Sequence, residues 1–278
     1  MATVGLEGTH GFPYGPLPTW LYQGFLTASH DLRSLVVARA LATMGLVALG
    51  SWWTASAMGV SPWLCLVALV SPYLWLYARL IWDNSFLIPL SALAVGSYAR
   101  ALARPSRAMV FVAVCATLLL PLIHLMSLAL VLALGAHAIV FARPTFWRYR
   151  WTALASAIAV LAMAAPYLRI VAATRTGGGF HPTWEGFGFP LLGARWLSAS
   201  GLDYFFGESW QAATFAPAAV TLAGFVSCFI YAFVWAGMGL AILSAWRAHR
   251  LHPSADEPDL RARLSWLALL IVAAQCLL

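Results

Sequence analysis

The chain has 278 residues, of which 62% are hydrophobic and only 9% are charged. A soluble domain carries about 25% charged residues, so this composition excludes a water-soluble globular protein and indicates an integral membrane protein. The net charge of +7 comes from 16 arginines without a single lysine. These arginines form short clusters between apolar runs, which is typical of topology signals and argues against a nucleic-acid partner.

The first 33 residues are predicted to lie outside the membrane. Residues 10–23 (HGFPYGPLPTWLYQ) include three prolines, so they cannot form a regular membrane-spanning helix. Pro18 suits the first position of a short helix over 19–29, whose aromatic and leucine side chains can lie at the lipid headgroups. We interpret this segment either as an interfacial helix that shapes a pocket at the membrane boundary or as a plain surface connector.

Apolar runs of membrane-helix character follow. Their approximate bounds are 34–58, 61–78, 84–99, 108–120, 122–141, 151–172, 216–246 and 264–278. Ten of the arginines fall in three stretches between these runs, at 100–107, 143–150 and 247–263, and the positive-inside rule places all three in the cytoplasm. The chain must therefore cross the membrane twice between consecutive stretches, with Pro121 breaking one run into two short helices.

This topology predicts an all-α, polytopic protein of the inner (plasma) membrane with about seven to eight transmembrane helices. We expect one transmembrane domain over 1–278, made of an external loop with the interfacial helix (1–33), a transmembrane core (34–172), a second external loop (173–215) and C-terminal helices (216–278). The last run rises about 22 Å, short of a hydrocarbon core about 30 Å thick. We therefore expect a fragment, with a further helix before it and more helices after it.

Three motifs stand in the first half of the chain. They are GFPYGPLPTWLY at 11–22, SPYLWLYARLIWDNSFLIP at 71–89 and PLIHL at 121–125. In order and spacing they resemble motifs of the GT-C glycosyltransferases, in particular the protein mannosyltransferase-like and aminoarabinose transferase-like families. The resemblance implies transfer of a sugar from a polyprenyl-phosphate donor to a lipid, glycan or protein acceptor on the extracytoplasmic face of the bilayer.

The resemblance also implies roles for single residues. These enzymes carry an essential Asp after their first transmembrane helix, whereas Glu7 is the only acidic residue upstream of the first motif here. Either Glu7 is the catalytic base, or the Asp lies in a missing N-terminal segment and this chain alone is inactive. Arg79 would hold the donor phosphate, and Tyr14 belongs to the loop that would frame the substrate pocket.

Two candidates in the second motif also have structural explanations. Arg79 lies at the predicted outer end of the 61–78 run, where a guanidinium can bind phosphate, reach to the headgroups or pair with Asp83 one turn later. Asp83 is a candidate for substrate binding, but a cap for the helix predicted over 84–99 is the simpler interpretation.

The two candidate histidines, His124 and His181, also have both a functional and a structural interpretation. His124, at a predicted outer turn, can bind phosphate, sugar or a metal ion, or can bond a backbone carbonyl that Pro121 leaves free. His181 lies in a glycine-rich external loop that can contact the substrate or serve as a connector. His137 is interpreted as structural. Some GT-C enzymes use a divalent cation and others do not, and no spacing here predicts a protein-made metal cage.

The rival hypothesis is a non-enzymatic polytopic protein, such as a transporter or a component of a lipid flippase. Transporters place polar residues near the bilayer midplane, often in repeated halves. In this chain the polar residues gather at predicted outer ends, and no internal repeat is visible, so the enzyme hypothesis is favoured. The four cysteines lie inside apolar runs and are expected to be buried and reduced.

Overall fold

A computed structural model of the chain describes residues 15–61, 83–124 and 127–173, with isolated residues between 63 and 79 and between 243 and 267. Across these residues the chain is helical and forms no strand, which confirms the all-α prediction. The helices are α1 (Leu17–Ala28), α2 (Leu32–Ala57), α3 (Leu87–Ala103), α4 (Arg107–Leu119), α5 (Leu128–Phe141), α6 (Arg143–Arg148) and α7 (Arg150–Ala173). Two 3₁₀ turns, Asp83–Phe86 and Leu120–Leu122, precede α3 and follow α4.

Two helices in these ranges are long and apolar enough to cross a membrane, by length and composition. They are α2, with 26 residues, and Arg150–Ile170 of α7, with 21. Helices α3, α4 and α5 are apolar but shorter. Large apolar side chains on α7, among them Trp151, Leu154 and Ile158, are exposed, as expected of a surface that faces lipid. The count of seven to eight spans stays a prediction.

Helices α2 and α3 run parallel and pack backbone to backbone. Arg39 of α2 contacts Ser85 just before α3, and Gly50 of α2 contacts Gly96 further along α3, so both contacts advance in the same direction. A Cβ built on Gly50 would overlap the carbonyl of Ala92, and one built on Gly96 would lie 2.6 Å from the Cα of Gly50. Only small residues allow two helices to approach this closely.

The main core consists largely of small side chains of α3, α4 and α5, around the larger Tyr98 and Leu120. Leu264 and Leu267, from the last predicted run, are buried in the same core. A second cluster joins Leu122 to Val160, Ala164 and Tyr167 of α7, with Leu17 of α1 against it. Residues far apart in the sequence therefore share one packed body.

His137 of α5 lies in the main core and is fully buried. Its Nε2 is 2.6 Å from the carbonyl of Arg263, and its Nδ1 is 2.7 Å from the hydroxyl of Tyr98. A carbonyl only accepts, so Nε2 carries the proton and Nδ1 accepts from the Tyr98 O–H. These two bonds satisfy the ring and account for His137 as a structural residue.

The packing gives the molecule two distinct ends. One, called the proline end, contains Gly15 and Pro16, the turns Asp83–Phe86 and Leu120–Leu122, and the last turns of α7. The opposite one, called the arginine end, brings the 104–107 loop next to α6 and the start of α7, where the Tyr149 hydroxyl donates to the carbonyl of Pro105. Helices α3, α4, α5 and α7 run alternately between these ends, whereas α2 runs in the same direction as α3.

Asp31 caps the first turn of α2. Its carboxylate accepts hydrogen bonds from the Ser34 hydroxyl (2.6 Å) and from the backbone N–H groups of Arg33 (3.1 Å) and Ser34 (3.0 Å). These bonds favour the ionised form and hold the pKa of Asp31 below its ordinary value of 3.8, with the Ser34 hydroxyl contributing most. The cap therefore depends on the charge of one exposed carboxylate.

The stabilisation that Asp31 supplies is expected to vary with pH. Because its pKa is lower in the folded chain, the contribution is complete above the unfolded pKa, near 3.8, and is lost as the pH falls through the lower folded pKa. We expect Asp31→Ala to lower the Tm in detergent at neutral pH, and this deficit to shrink in acid. Asp31→Asn, which keeps a capping oxygen, is the control. A deficit that is the same at every pH would contradict the prediction.

Candidate functional site

The structure describes half of the predicted site residues. Arg79 occupies an exposed helical position, Asp83 begins the 3₁₀ turn before α3, and His124 lies in the turn between Leu120–Leu122 and α5. Glu7, Tyr14 and His181 lie outside the described residues, so their predicted roles stay predictions.

The first and third motifs meet at the proline end. Gly15 packs so closely on the Leu120–Leu122 turn that a Cβ on it would overlap the carbonyl of Leu122. Pro16 and Pro18 are buried beside this contact. This close contact requires glycine at position 15. It also holds the start of α1 against Leu122, which is two residues before His124 in the sequence.

The second motif is joined to the same end through the Asp83–Phe86 turn. The Phe86 ring packs edge-to-face on Tyr22 of α1, with 5.2 Å between the ring centroids and an angle of 67° between the planes. Arg39 of α2 donates a hydrogen bond of 2.5 Å to the Ser85 hydroxyl, and its guanidinium lies 5.1 Å from the centroid of Phe86. The turn that follows Arg79 is thus fixed between α1 and α2.

Arg39 is the residue that the sequence analysis missed. It is only 6% exposed, in a mainly apolar helix whose other charged residue, Arg33, stands in the first turn. Burying a guanidinium is costly, so ionisable residues within apolar helices usually have defined partners or a function. The sequence carries a signal for it, because Arg39 interrupts the 34–58 run, but it stands outside the arginine clusters that indicate the topology.

Asp83 does not stand at the N-cap position of α3, contrary to the simpler interpretation of it. The helix begins at Leu87 with Phe86 at the N-cap position, and no side chain bonds the free N–H groups there. The intervening residues form the 3₁₀ turn instead, because Ser85 and Phe86 are engaged by Arg39. The helix predicted from residue 84 therefore starts three residues later.

His124 lies in a turn that is closed by Ser127. The Ser127 hydroxyl and backbone N–H both donate to the carbonyl of His124, at 2.7 and 3.1 Å. Burial lowers the pKa of the half-buried His124 ring below its ordinary 6.5. Burial thus favours the uncharged imidazole, which suits exchange of a proton or hydrogen bonding to a hydroxyl better than permanent neutralisation of a phosphate.

Pro121 begins the break before His124, as predicted, because it lies in the 3₁₀ turn that ends the α4 run. The α1 helix begins at Leu17, two residues earlier than the predicted 19, with Pro18 inside its first turn. Among the described residues no group of three or more His, Cys, Asp or Glu side chains is placed to hold a metal ion.

The proline end thus carries a buried guanidinium at position 39 and a half-buried imidazole at position 124, and the exposed Arg79 stands four residues before the Asp83–Phe86 turn in the sequence. Comparisons with protein-family models, with curated proteins and with solved structures find no match. What this end of the molecule can do follows from the charges and hydrogen-bonding groups of its own side chains.

Proposed function

We propose that this chain is a membrane glycosyltransferase, or part of one, that moves a sugar from a polyprenyl-phosphate donor to a lipid, glycan or protein acceptor. In this proposal the chain crosses the inner (plasma) membrane seven to eight times. The arginine end faces the cytoplasm and the proline end faces outward. The main support is that parts of all three motifs resembling GT-C enzymes lie at one end of the packed body, although about 100 residues separate the first from the third.

The transfer requires a base and an anion site at the outer face. The acceptor O–H gives its proton to a carboxylate while the oxygen bonds to the anomeric carbon of the sugar. The bond from that carbon to the donor phosphate oxygen breaks, and the polyprenyl phosphate leaves with the electron pair. Arg79 stabilises the negative charge on the leaving phosphate through paired N–H donors. Glu7, or an Asp upstream of this chain, is the base.

The remaining groups of the proline end hold the site in shape and position the substrates. Arg39 holds Ser85 and Phe86, and so fixes the turn that follows Arg79 in the chain. The docking of Gly15 on Leu122 brings the proline-bounded loop next to the His124 turn. The neutral ring of His124 then bonds a hydroxyl of the sugar or of the acceptor. A lipid-linked phosphate reaches this end at headgroup level, beside the interfacial helix α1.

Arg79→Ala is expected to weaken donor binding and turnover about tenfold or more, because one charge-assisted hydrogen bond to phosphate accounts for roughly that factor. The chain is reconstituted in lipid nanodiscs with a panel of labelled polyprenyl-phosphate sugars, and release of polyprenyl phosphate is measured. Donor binding is measured in parallel, because binding does not need the catalytic base. Arg169→Ala, an exposed arginine near the same end on α7, is the matched control and is expected to behave as the native chain.

Equal binding by the native chain and by Arg79→Ala would contradict the assignment of the phosphate site. Binding without turnover, accompanied by movement of the lipid-linked sugar across sealed vesicles, would favour the transporter or flippase hypothesis. His124→Ala is expected to reduce turnover more than donor binding, because its neutral ring contacts a hydroxyl and not the phosphate.

A further inference from the structure

The arginine end contains a cleft that the proposed transfer reaction does not use. It has a volume of about 960 Å³ and lies between the 105–107 loop, the end of α6 and the first two turns of α7. Its polar lining includes the side chains of Arg107 and Arg148, and its apolar lining includes Phe111 and Trp151. Both kinds of surface therefore face one space.

The stretch of chain that lines this cleft carries charge of one sign. Residues 84–184 contain eight arginines and neither aspartate nor glutamate, so this stretch of chain supplies no carboxylate to neutralise Arg107 or Arg148. The lining also includes Ser106, which caps α4 by accepting from the Met109 N–H. The N-terminus of the 13-residue helix α4 adds its partial positive charge to the two guanidinium groups. An anion is the ligand that this arrangement favours.

The apolar part of the lining continues beyond the cleft. Trp151 is exposed at its edge, and Leu154 and Ile158 follow on the exposed surface of α7. The guanidinium of Arg150 lies 5.6 Å from the Trp151 ring and 5.3 Å from the Trp147 ring. Tryptophan beside arginine at the end of an apolar helix is typical of the membrane interface. A ligand held here has its charge in the cleft and an apolar chain along α7.

We propose that this cleft binds the phosphate-bearing headgroup of an anionic membrane lipid, with Arg107 and Arg148 contacting the phosphate and an acyl chain lying against Phe111 and α7. Basic pockets between apolar helices at the cytoplasmic surface bind such headgroups. A free phosphate ion shares the headgroup chemistry but leaves the apolar lining unused, so the lipid is the better match. This inference is independent of the glycosyltransferase proposal, whose site lies at the opposite end.

The test uses the full chain in mild detergent and measures binding of phosphatidylglycerol, phosphatidylcholine and inorganic phosphate by native mass spectrometry and by thermal shift. We expect tight binding of phosphatidylglycerol only. Arg107→Gln/Arg148→Gln is expected to weaken that binding about tenfold or more. Arg104→Gln/Arg143→Gln removes the same charge at the same end from residues that do not line the cleft, and is expected to bind as the native chain does.

A second variant keeps Arg107 and Arg148 and fills the cleft with a larger side chain. Ala155→Trp places a large ring in the lining, and it is expected to reduce phosphatidylglycerol binding even if the double arginine variant fails to fold. Equal losses in the two double variants would overturn the proposal in favour of general surface electrostatics. Competition by inorganic phosphate as strong as by the lipid would assign a free anion, and equal binding of phosphatidylcholine would exclude an anionic site.

Discussion

Gly50→Val is expected to prevent α2 and α3 from packing, and to be the most destabilising single change in the described part of the chain. The added side chain would occupy the space of the Ala92 carbonyl, which belongs to the backbone of α3 and cannot rotate away. The helices would have to separate, losing contacts along their whole length. Overpacking usually costs about 1–3 kcal/mol, and a clash with backbone is expected at or above the upper figure.

Gly45→Val is the matched control for this change. Gly45 lies in the same helix, but a Cβ there meets nothing within 4 Å. Both substitutions replace glycine by the same β-branched residue within a helix, so their difference isolates the contact with α3. The measurements are the yield of monodisperse protein in detergent and its Tm. Equal behaviour of the two variants would show that the close approach at Gly50 does not limit stability.

Ser85→Ala is expected to destabilise the chain by about 2 kcal/mol, since it removes a hydrogen bond to a buried charged group. The cost should depend on Arg39. In an Arg39→Met background the charge is gone, and Ser85→Ala is then expected to have little effect. A double-mutant cycle therefore gives a coupling free energy of about 1.5 kcal/mol or more between the two residues.

Ser97→Ala, in helix α3, is the control for Ser85→Ala. Ser97 is also fully buried, but its hydroxyl donates only to the nearby backbone carbonyls of Leu93 and Ala94. Its loss should cost little and should not be coupled to Arg39. Unfolding free energies from denaturant titrations in micelles are the measurement. Coupling as large for Ser97 as for Ser85 would mean that Arg39 acts on the whole helix and not on the turn.

The described helices could largely be predicted from the sequence, because apolar runs and arginine clusters report directly on length and direction. The starts of helices were less predictable. Helix α3 begins at Leu87 and not at 84, since Arg39, 46 residues before Ser85, holds the preceding turn. No local pattern in the sequence contains that contact.

The candidate site was predictable only in part, for the same reason. The motifs marked Arg79 and His124, and the proline-rich loop was recognised as unable to span the membrane. The other features of the site could not be predicted. The docking of Gly15 on Leu122 and the burial of Arg39 depend on contacts between distant segments. Such contacts follow from side-chain shape in three dimensions, which hydropathy does not encode.

The parallel pairing of α2 and α3 has a consequence for the chain that joins them. Helix α2 ends at the arginine end, whereas Asp83 stands at the proline end. The 25 residues between Ala57 and Asp83 must therefore span the length of the α2–α3 pair before α3 can begin. Arg79 belongs to this connection and stands four residues before Asp83 in the sequence. The number of residues in the connection, more than their identity, therefore decides whether α2 and α3 can pair in parallel.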